Sequence, residues 1–380
     1  MLAGMSSTLL DLHTPALVLD EAVMLANIER LRAHLASLGV PLRPHIKTAK
    51  SVEVARRLLE GGRGPATVST LREAEVLFTA GVTDILYAVG IAPQKLGRVQ
   101  ALRAAGCDLA IILDSAPQAS AVIEACAGAA IPVLIEIDSD GHRSGLRPDD
   151  PAVVELGRTL VEGGVVLRGV MTHAGESYEA VGAAALGRFA EQERGAAVSA
   201  AERLRAAGLA CPVVSVGSTP TAHFARDLRG VTEVRAGVYV FFDLVMAGIG
   251  VCGLADIAAS VLTTVIGHQA DRGWTIVDAG WMALSRDRGT ATQAIDQGYG
   301  LVCDLDGRPI PDLIVIAANQ EHGVIALRSG AGAAGPKIAV GTRLRILPNH
   351  ACATAAQFDD YAVIPAGGGD LQTWPRFRGW

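Results

Sequence analysis

The sequence predicts a closed barrel of eight parallel strands and eight helices, followed by a β-rich domain. Two observations carry this. Short β-branched runs alternate with Ala/Leu-rich stretches of helical period, and that rhythm breaks near residue 250. The runs are Leu42–Ile46, Ala66–Ser69, Ile85–Val89, Leu109–Leu113, Pro132–Ile137, Leu167–Met171, Pro212–Val216 and Thr232–Arg235. Eight βα repeats make a (β/α)8 TIM-type barrel; a doubly wound open sheet ordinarily needs fewer. Glycine agrees: 43 of 380 residues is about 11%, against a typical ~7%.

The helices follow in order. Glu21–Leu38 places Val23, Asn27, Arg30 and His34 on one face. Ala22, Leu25, Ala26, Ile28, Leu31, Leu35 and Leu38 lie on the other. Gly39 caps it and Pro41 follows. Val52–Leu59, Leu71–Phe78 and Gln94–Ala105 end before Gly61, Gly81 and Gly106, and the longer Ala184–Ala207 ends at Gly208. From Asp256 onward helices fade. Strands are expected at Ser260–His268, Trp274–Val277, Leu313–Ala317, Val324–Leu327, Arg343–Leu347, Tyr361–Ile364 and Leu371–Trp374. Turn signals separate them, among them Asp306-Gly307, Ser329-Gly330 and Gly367-Gly368-Gly369. The expected division is 13–250 for the barrel and 251–380 for the β-rich domain. The early strand Ala16–Leu19, within residues 1–20, is expected to join the second.

Composition excludes several classes. Hydrophobic residues are 50% and charged residues 19%, too apolar for a disordered chain. Net charge is −6 and no basic run occurs, which argues against a nucleic-acid or anionic-lipid surface. No apolar stretch reaches ~18 residues and the start lacks a signal-peptide pattern, so no membrane association is expected. The six cysteines are scattered, which suits free thiols in the cytoplasm. Walker A, H-E-x-x-H and G-x-S-x-G patterns are absent, so zincin and serine-hydrolase chemistry have no support, and the run Gly61-Gly62-Arg63-Gly64 lacks the G-x-G-x-x-G spacing, so no dinucleotide site is expected there.

Chemistry in such barrels gathers at the C-terminal tips of the strands. Lys47, one of four lysines in the chain, closes Arg43-Pro44-His45-Ile46-Lys47. It is either a solvated lysine at a helix start or an amine placed for Schiff-base chemistry. Arg143, in Asp138-Ser139-Asp140-Gly141-His142-Arg143-Ser144-Gly145, suits a phenolate, carboxylate or phosphate. His173 and Tyr178 follow the sixth run, and Gly217-Ser218-Thr219 follows the seventh, where barrels commonly seat phosphate. In the β-rich domain His350 and Cys352 are either two zinc ligands or a buried cysteine beside an ordinary histidine. Two ligands are too few for a closed structural site and suit an open catalytic ion.

These segments resemble the fold-type III pyridoxal-phosphate (PLP) enzymes, built on an alanine racemase-like barrel, that act on D-configured β-hydroxy amino acids. The group includes D-serine dehydratase and D-threonine aldolase. Asp140–Gly145, Arg235-Ala236-Gly237-Val238-Tyr239 and Asp278-Ala279-Gly280-Trp281 carry the likeness, which spans nearly the whole chain. The resemblance implies that Lys47 holds PLP covalently and Arg143 stands near its phenolic oxygen. It implies that His173 and Tyr178 line its face, and that Gly217, Ser218 and Thr219, with Tyr239 nearby, seat its phosphate. His350 and Cys352 match ligands of a divalent ion, usually zinc, with manganese, cobalt or magnesium as alternatives. It further implies a homodimer.

The implied reaction is dehydration and deamination of a D-3-hydroxy amino acid. D-threo-3-hydroxyaspartate would give oxaloacetate and D-serine pyruvate, each with ammonia; Lys47, His350 and Cys352 would be the catalytic residues. Aldolases of the group carry an Asp where this chain has Cys352, which favours dehydration over retro-aldol cleavage. A racemase would leave the metal pair without a task. A non-enzymatic PLP-binding homeostasis protein is a further rival, though such proteins generally lack the second domain. Arg286, Arg288 and His322 are candidates for binding a second substrate carboxylate.

Overall fold

The computed structural model describes residues 8–59, 62–126, 130–328 and 337–380; the expected turn at Ser329-Gly330 lies outside them. The chain forms two compact units. One comprises the segment up to Ile28 together with Val238–Arg376, and the other comprises Glu29–Gly237 with Phe377–Trp380.

The second of these is the barrel. Its strands, in spatial order, are Leu42–Pro44, Glu233–Ala236, Val213–Val216, Val166–Thr172, Pro132–Ile137, Asp108–Leu113, Asp84–Gly90 and Ala66–Val68. Every pairing is parallel. A parallel bridge between His45 and Thr67 joins the two ends and closes the sheet. Each of the eight expected runs falls on one of these strands. Leu86, Ala110, Ile112, Leu134 and Met171 pack together as one buried layer.

Arg43 ties its own strand to two others. Its Nε donates to Glu233 Oε2 at 2.7 Å and one terminal nitrogen donates to Asp84 Oδ1 at 2.8 Å. Burial opposes the Arg43 charge, but the two carboxylates outweigh it and raise its pKa.

Strand-to-strand connections run through helices such as Leu71–Thr79, Ala116–Ala125, Ala152–Glu162 and Ala183–Ala206. The helix Glu21–Ser37 is present, but its buried face differs from the expected one. Met24, Asn27, Ile28, Leu31 and Leu35 are buried, whereas Ala22, Ala26 and Leu25 are exposed. Asn27 is tolerated inside because its side-chain amide donates to the Asp256 carbonyl at 2.7 Å.

The other unit is a nine-stranded sheet. Its order is Trp274–Val277, Gly323–Leu327, Pro309–Ala318, Leu301–Cys303, Arg343–Leu347, Ala259–Gln269, Ala16–Asp20, Asp360–Ile364 and Gln372–Pro375. Pairings are antiparallel except that of Ala16–Asp20 with Asp360–Ile364. The early strand thus lies inside this sheet, and Leu301–Cys303 is a strand the sequence did not announce. Val261, Val277, Val302, Val315, Ile325 and Ile346 form its core.

Candidate active site

Within the barrel unit a cavity of about 210 Å³ opens among the C-terminal ends of the strands. His45, Lys47, Glu136, Arg143, His173 and Arg235 line it. Three of these, Lys47, Arg143 and His173, were expected from the sequence; the other three were not. Lys47 is exposed, and it is the cavity's lysine.

The two imidazoles are held neutral. Burial, then the charge of Lys47, pushes His173 down to about 3, and the same causes, with Arg235, push His45 well below its usual range. The hydrogen bonds assign the tautomers. His173 Nδ1 lies 2.9 Å from the Gly217 carbonyl, which only accepts, so Nδ1 carries the proton and Nε2 is left as an acceptor. His45 Nδ1 receives the Lys47 backbone N–H at 3.4 Å, so its proton sits on Nε2, which faces Ser69 Oγ at 3.3 Å.

These shifts predict a pH effect. An unfolded histidine binds a proton below about pH 6.5, whereas folded His173 resists until about 3. Stability from the neutral ring is therefore complete above pH 6.5 and falls as pH drops through 6.5 toward 3. By pH 5 the loss is roughly 2 kcal/mol. Denaturant unfolding at pH 7.5 and pH 5 should show a smaller acid loss for His173→Asn than for the parent. Equal losses would remove His173 as the source.

Acidic and basic partners fill the rest. Glu136 is buried at the end of its strand; burial raises its pKa, opposed by Arg143 at 3.7 Å. Arg235 is 3% exposed, and its Nε donates to Ser215 Oγ at 2.8 Å while a terminal nitrogen donates to the Thr172 carbonyl. Behind Lys47 stands Lys50, with a positive φ of 43°. Its ammonium pairs at 3.3 Å with Glu73, whose carboxylate also accepts the Ser69 N–H.

The turn Gly217-Ser218-Thr219 stands outside the cavity lining but is bound to it through His173. Gly217 has φ +149°, and a Cβ there would sit 1.9 Å from the Arg235 carbonyl oxygen, so only glycine fits. Ser218 caps the short helix that follows, accepting from the Thr221 N–H, and its Oγ lies 2.9 Å from Ser177 Oγ. The Tyr178 ring lies 6.3 Å from that of His173.

Tyr239, His350 and Cys352 belong to the other unit. Asp287 Oδ2 accepts from His350 Nδ1 at 2.6 Å. Burial disfavours the His350 proton, but Asp287 and the Cys352 thiol push its pKa the other way, to about 11. Asp243, 1% exposed, accepts the Ala351 N–H at 2.9 Å and fixes the backbone between the pair. Among the described residues no group of three or more His, Cys, Asp or Glu gathers as a metal site. What the chain offers is two donors: an imidazole oriented by a carboxylate and a thiol within reach of it. That set fits an open divalent site.

Of the residues considered for a second carboxylate, Arg288 is already paired with Asp296 at 2.6 Å. Arg286 is exposed and stacks on Trp281, and His322 is exposed. No helix among the described residues is long and apolar enough to cross a membrane.

The comparisons agree with this geometry. Residues 19–245 match the alanine racemase N-terminal domain, and residues 258–364 match a serine dehydratase domain. D-threo-3-hydroxyaspartate dehydratase of Delftia sp. (strain HT23) is 58% identical over 99% of this chain and 100% of its own. Its solved structure superposes with a TM-score of 0.96, covering 98% of this chain and 100% of that one. D-serine dehydratase of Dictyostelium discoideum is 30% identical over 93% of this chain and 94% of its own. D-threonine aldolase of Arthrobacter sp. is 31% identical over 93% and 89%. The chain therefore belongs to the fold-type III PLP enzymes of the alanine racemase-like barrel, in the group of D-3-hydroxy amino acid dehydratases and aldolases.

Proposed function

We propose that the protein is a PLP-dependent dehydratase of D-3-hydroxy amino acids, with D-threo-3-hydroxyaspartate preferred over D-serine. The observation that carries the reading is the Lys47 amine in one cavity with two neutral imidazoles and two arginines. This donor set suits an aldehyde cofactor bearing anionic groups. Identity supports the reaction type: about 30% is shared with a D-serine dehydratase and a D-threonine aldolase alike, but 58% with a hydroxyaspartate dehydratase.

Bound PLP supplies an electron sink for the charge left on Cα. Lys47 would hold the cofactor, and its Nζ would serve as the base that takes the α-proton. Arg143 and Arg235 would offer positive charge to the cofactor's anionic groups. Neutral His173 presents Nε2 as an acceptor without adding charge. Gly217, Ser218 and Thr219 would seat the phosphate, and Tyr178 stands beside His173. His350 and Cys352 would hold a divalent ion, zinc first, that acts as a Lewis acid on the departing β-hydroxyl. Solved variants of D-threo-3-hydroxyaspartate dehydratase, 57% and 58% identical to this chain, support this: one replaces a histidine and another a cysteine two positions later, the second described as metal-free. That spacing is the spacing of His350 and Cys352.

Within this reading the barrel is the PLP-binding domain and the β-rich unit carries the metal ligands. A cytoplasmic homodimer is part of the same proposal; no disulfide joins the six cysteines, which suits a reducing compartment. The deciding experiment incubates the purified protein with D-serine, D-threonine and the 3-hydroxyaspartate stereoisomers, measuring 2-oxo acid, ammonia and aldehyde. Oxaloacetate and ammonia in equal amounts, with the highest kcat/KM on the D-threo isomer, is the expected outcome. Glycine plus glyoxylate without ammonia would make the protein an aldolase.

A further inference from the structure

One buried carboxylate has no part in the chemistry above, yet it touches both the loop after His173, which lines the cavity, and the phosphate turn bound to it. Glu193 lies in the helix Ala183–Ala206 and is 2% exposed. Its Oε1 accepts the Ala174 N–H at 3.0 Å and the Gly217 N–H at 2.9 Å. Its Oε2 accepts the Thr221 hydroxyl at 2.6 Å. Ala174 follows His173 directly, Gly217 opens the phosphate turn, and Thr221 lies in the short helix that follows it. The Gly217 peptide is thus gripped from both sides, by Glu193 at its nitrogen and by His173 Nδ1 at its carbonyl. We propose that Glu193 is a positioning residue, which preforms the phosphate turn and sets the orientation of His173 before the cofactor arrives. The inference rests on the PLP reading of this cavity.

The physical case is an apparent cost with a specific return. Burial raises the Glu193 pKa, opposed by the Thr221 and Gly217 hydrogen bonds, so the carboxylate gains nothing from its surroundings alone. All three partners donate, so only an acceptor on both oxygens satisfies them together. A negative charge behind a phosphate seat weakens phosphate binding electrostatically. Geometry and charge therefore act in opposite directions, and substitution can separate them.

Glu193→Ala removes the grip. Glu193→Gln keeps its shape: the amide oxygen can serve Gly217 and Ala174 while the amide nitrogen donates to the Thr221 hydroxyl, which also accepts hydrogen bonds. Leu204→Ala, on the same helix and fully buried, is the packing control. The measurements are the PLP dissociation constant of each apoprotein, the 31P NMR signal of bound PLP, and Tm. For Glu193→Ala the expected result is PLP affinity at least tenfold weaker with a shifted or broadened 31P signal. Glu193→Gln should bind PLP as tightly as the parent or tighter, with a parent-like 31P signal. Leu204→Ala should lower Tm without altering either PLP readout.

Parent-like affinity in Glu193→Ala would overturn the proposal. So would Glu193→Gln binding as weakly as Glu193→Ala, because charge would then matter more than placement. An equal loss of affinity in Leu204→Ala would assign the effect to general packing. If the parent itself fails to bind PLP, the functional reading fails first, and the two failures are distinguishable. Should Glu193→Ala not fold, Thr221→Val removes one arm of the grip and is expected to weaken PLP binding by a smaller factor, with parent-like binding overturning the proposal.

Discussion

Lys47→Ala should lower kcat/KM by about 10³-fold or more and release PLP on dialysis, with loss of its visible absorbance. The expectation follows from what else stands near. Lys47 is the lysine lining the cavity, and its side chain is exposed. Lys50, three residues on, cannot take over, because its ammonium is held at 3.3 Å by the buried Glu73 carboxylate. The histidines cannot form a Schiff base, and with pKa values held low they carry no charge to replace that of Lys47. Lys47→Arg should not restore activity, since a guanidinium stays protonated and is a poor nucleophile. Because Lys47 is exposed, its truncation leaves no cavity, and Tm in the absence of PLP should stay close to the parent's. Activity above a tenth of the parent's in Lys47→Ala, with PLP still bound covalently, would move the chemistry to another amine.

The barrel was legible because its signal is redundant. Eight β-branched runs, nearly all buried, sit between glycine-ended helices, and each strand was located independently of its neighbours. Leu301–Cys303 was not, because three residues between loops carry too little pattern to count as a strand. The face of the first helix was misjudged for a different reason. Asn27 looks like a surface residue until its distant partner, the Asp256 carbonyl, is known.

The same blindness shaped the reading of the site. Lys47 stood out by rarity and Arg143 and His173 by their place at strand tips. Glu136 and Arg235 are charged residues within buried strands; the Arg235 partners come from other strands, and that of Glu136 from the loop after its own. Glu193 reads in the sequence as one more charge on an amphipathic helix. Its role depends on two loops that are 19 and 24 residues away.

Cys352→Ala should strip the divalent ion and lower dehydratase activity about a hundredfold or more, while the visible absorbance of bound PLP persists. Only His350 and Cys352 are offered as ligands, and no third His, Cys, Asp or Glu joins them among the described residues. Removing the thiolate leaves a lone imidazole, which binds zinc far more weakly than a pair. The His350 ring should remain in place, since Asp287 holds its Nδ1 and Asp243 holds the backbone beside it. Metal analysis of the dialysed variant, with kcat/KM and the absorbance spectrum, checks the expectation, and a chelator on the parent should reproduce it. Cys352→Asp is the sharper variant, because a carboxylate keeps the charge but exchanges a soft ligand for a hard one. Metal preference should then shift from zinc toward manganese or magnesium. If elimination depends on zinc held by sulfur, the ratio of aldehyde to 2-oxo acid should rise along with that shift. A metal-free parent that retains full dehydratase activity would show that the β-hydroxyl departs without Lewis-acid help, and its proton donor would then have to be sought among the cavity's own side chains.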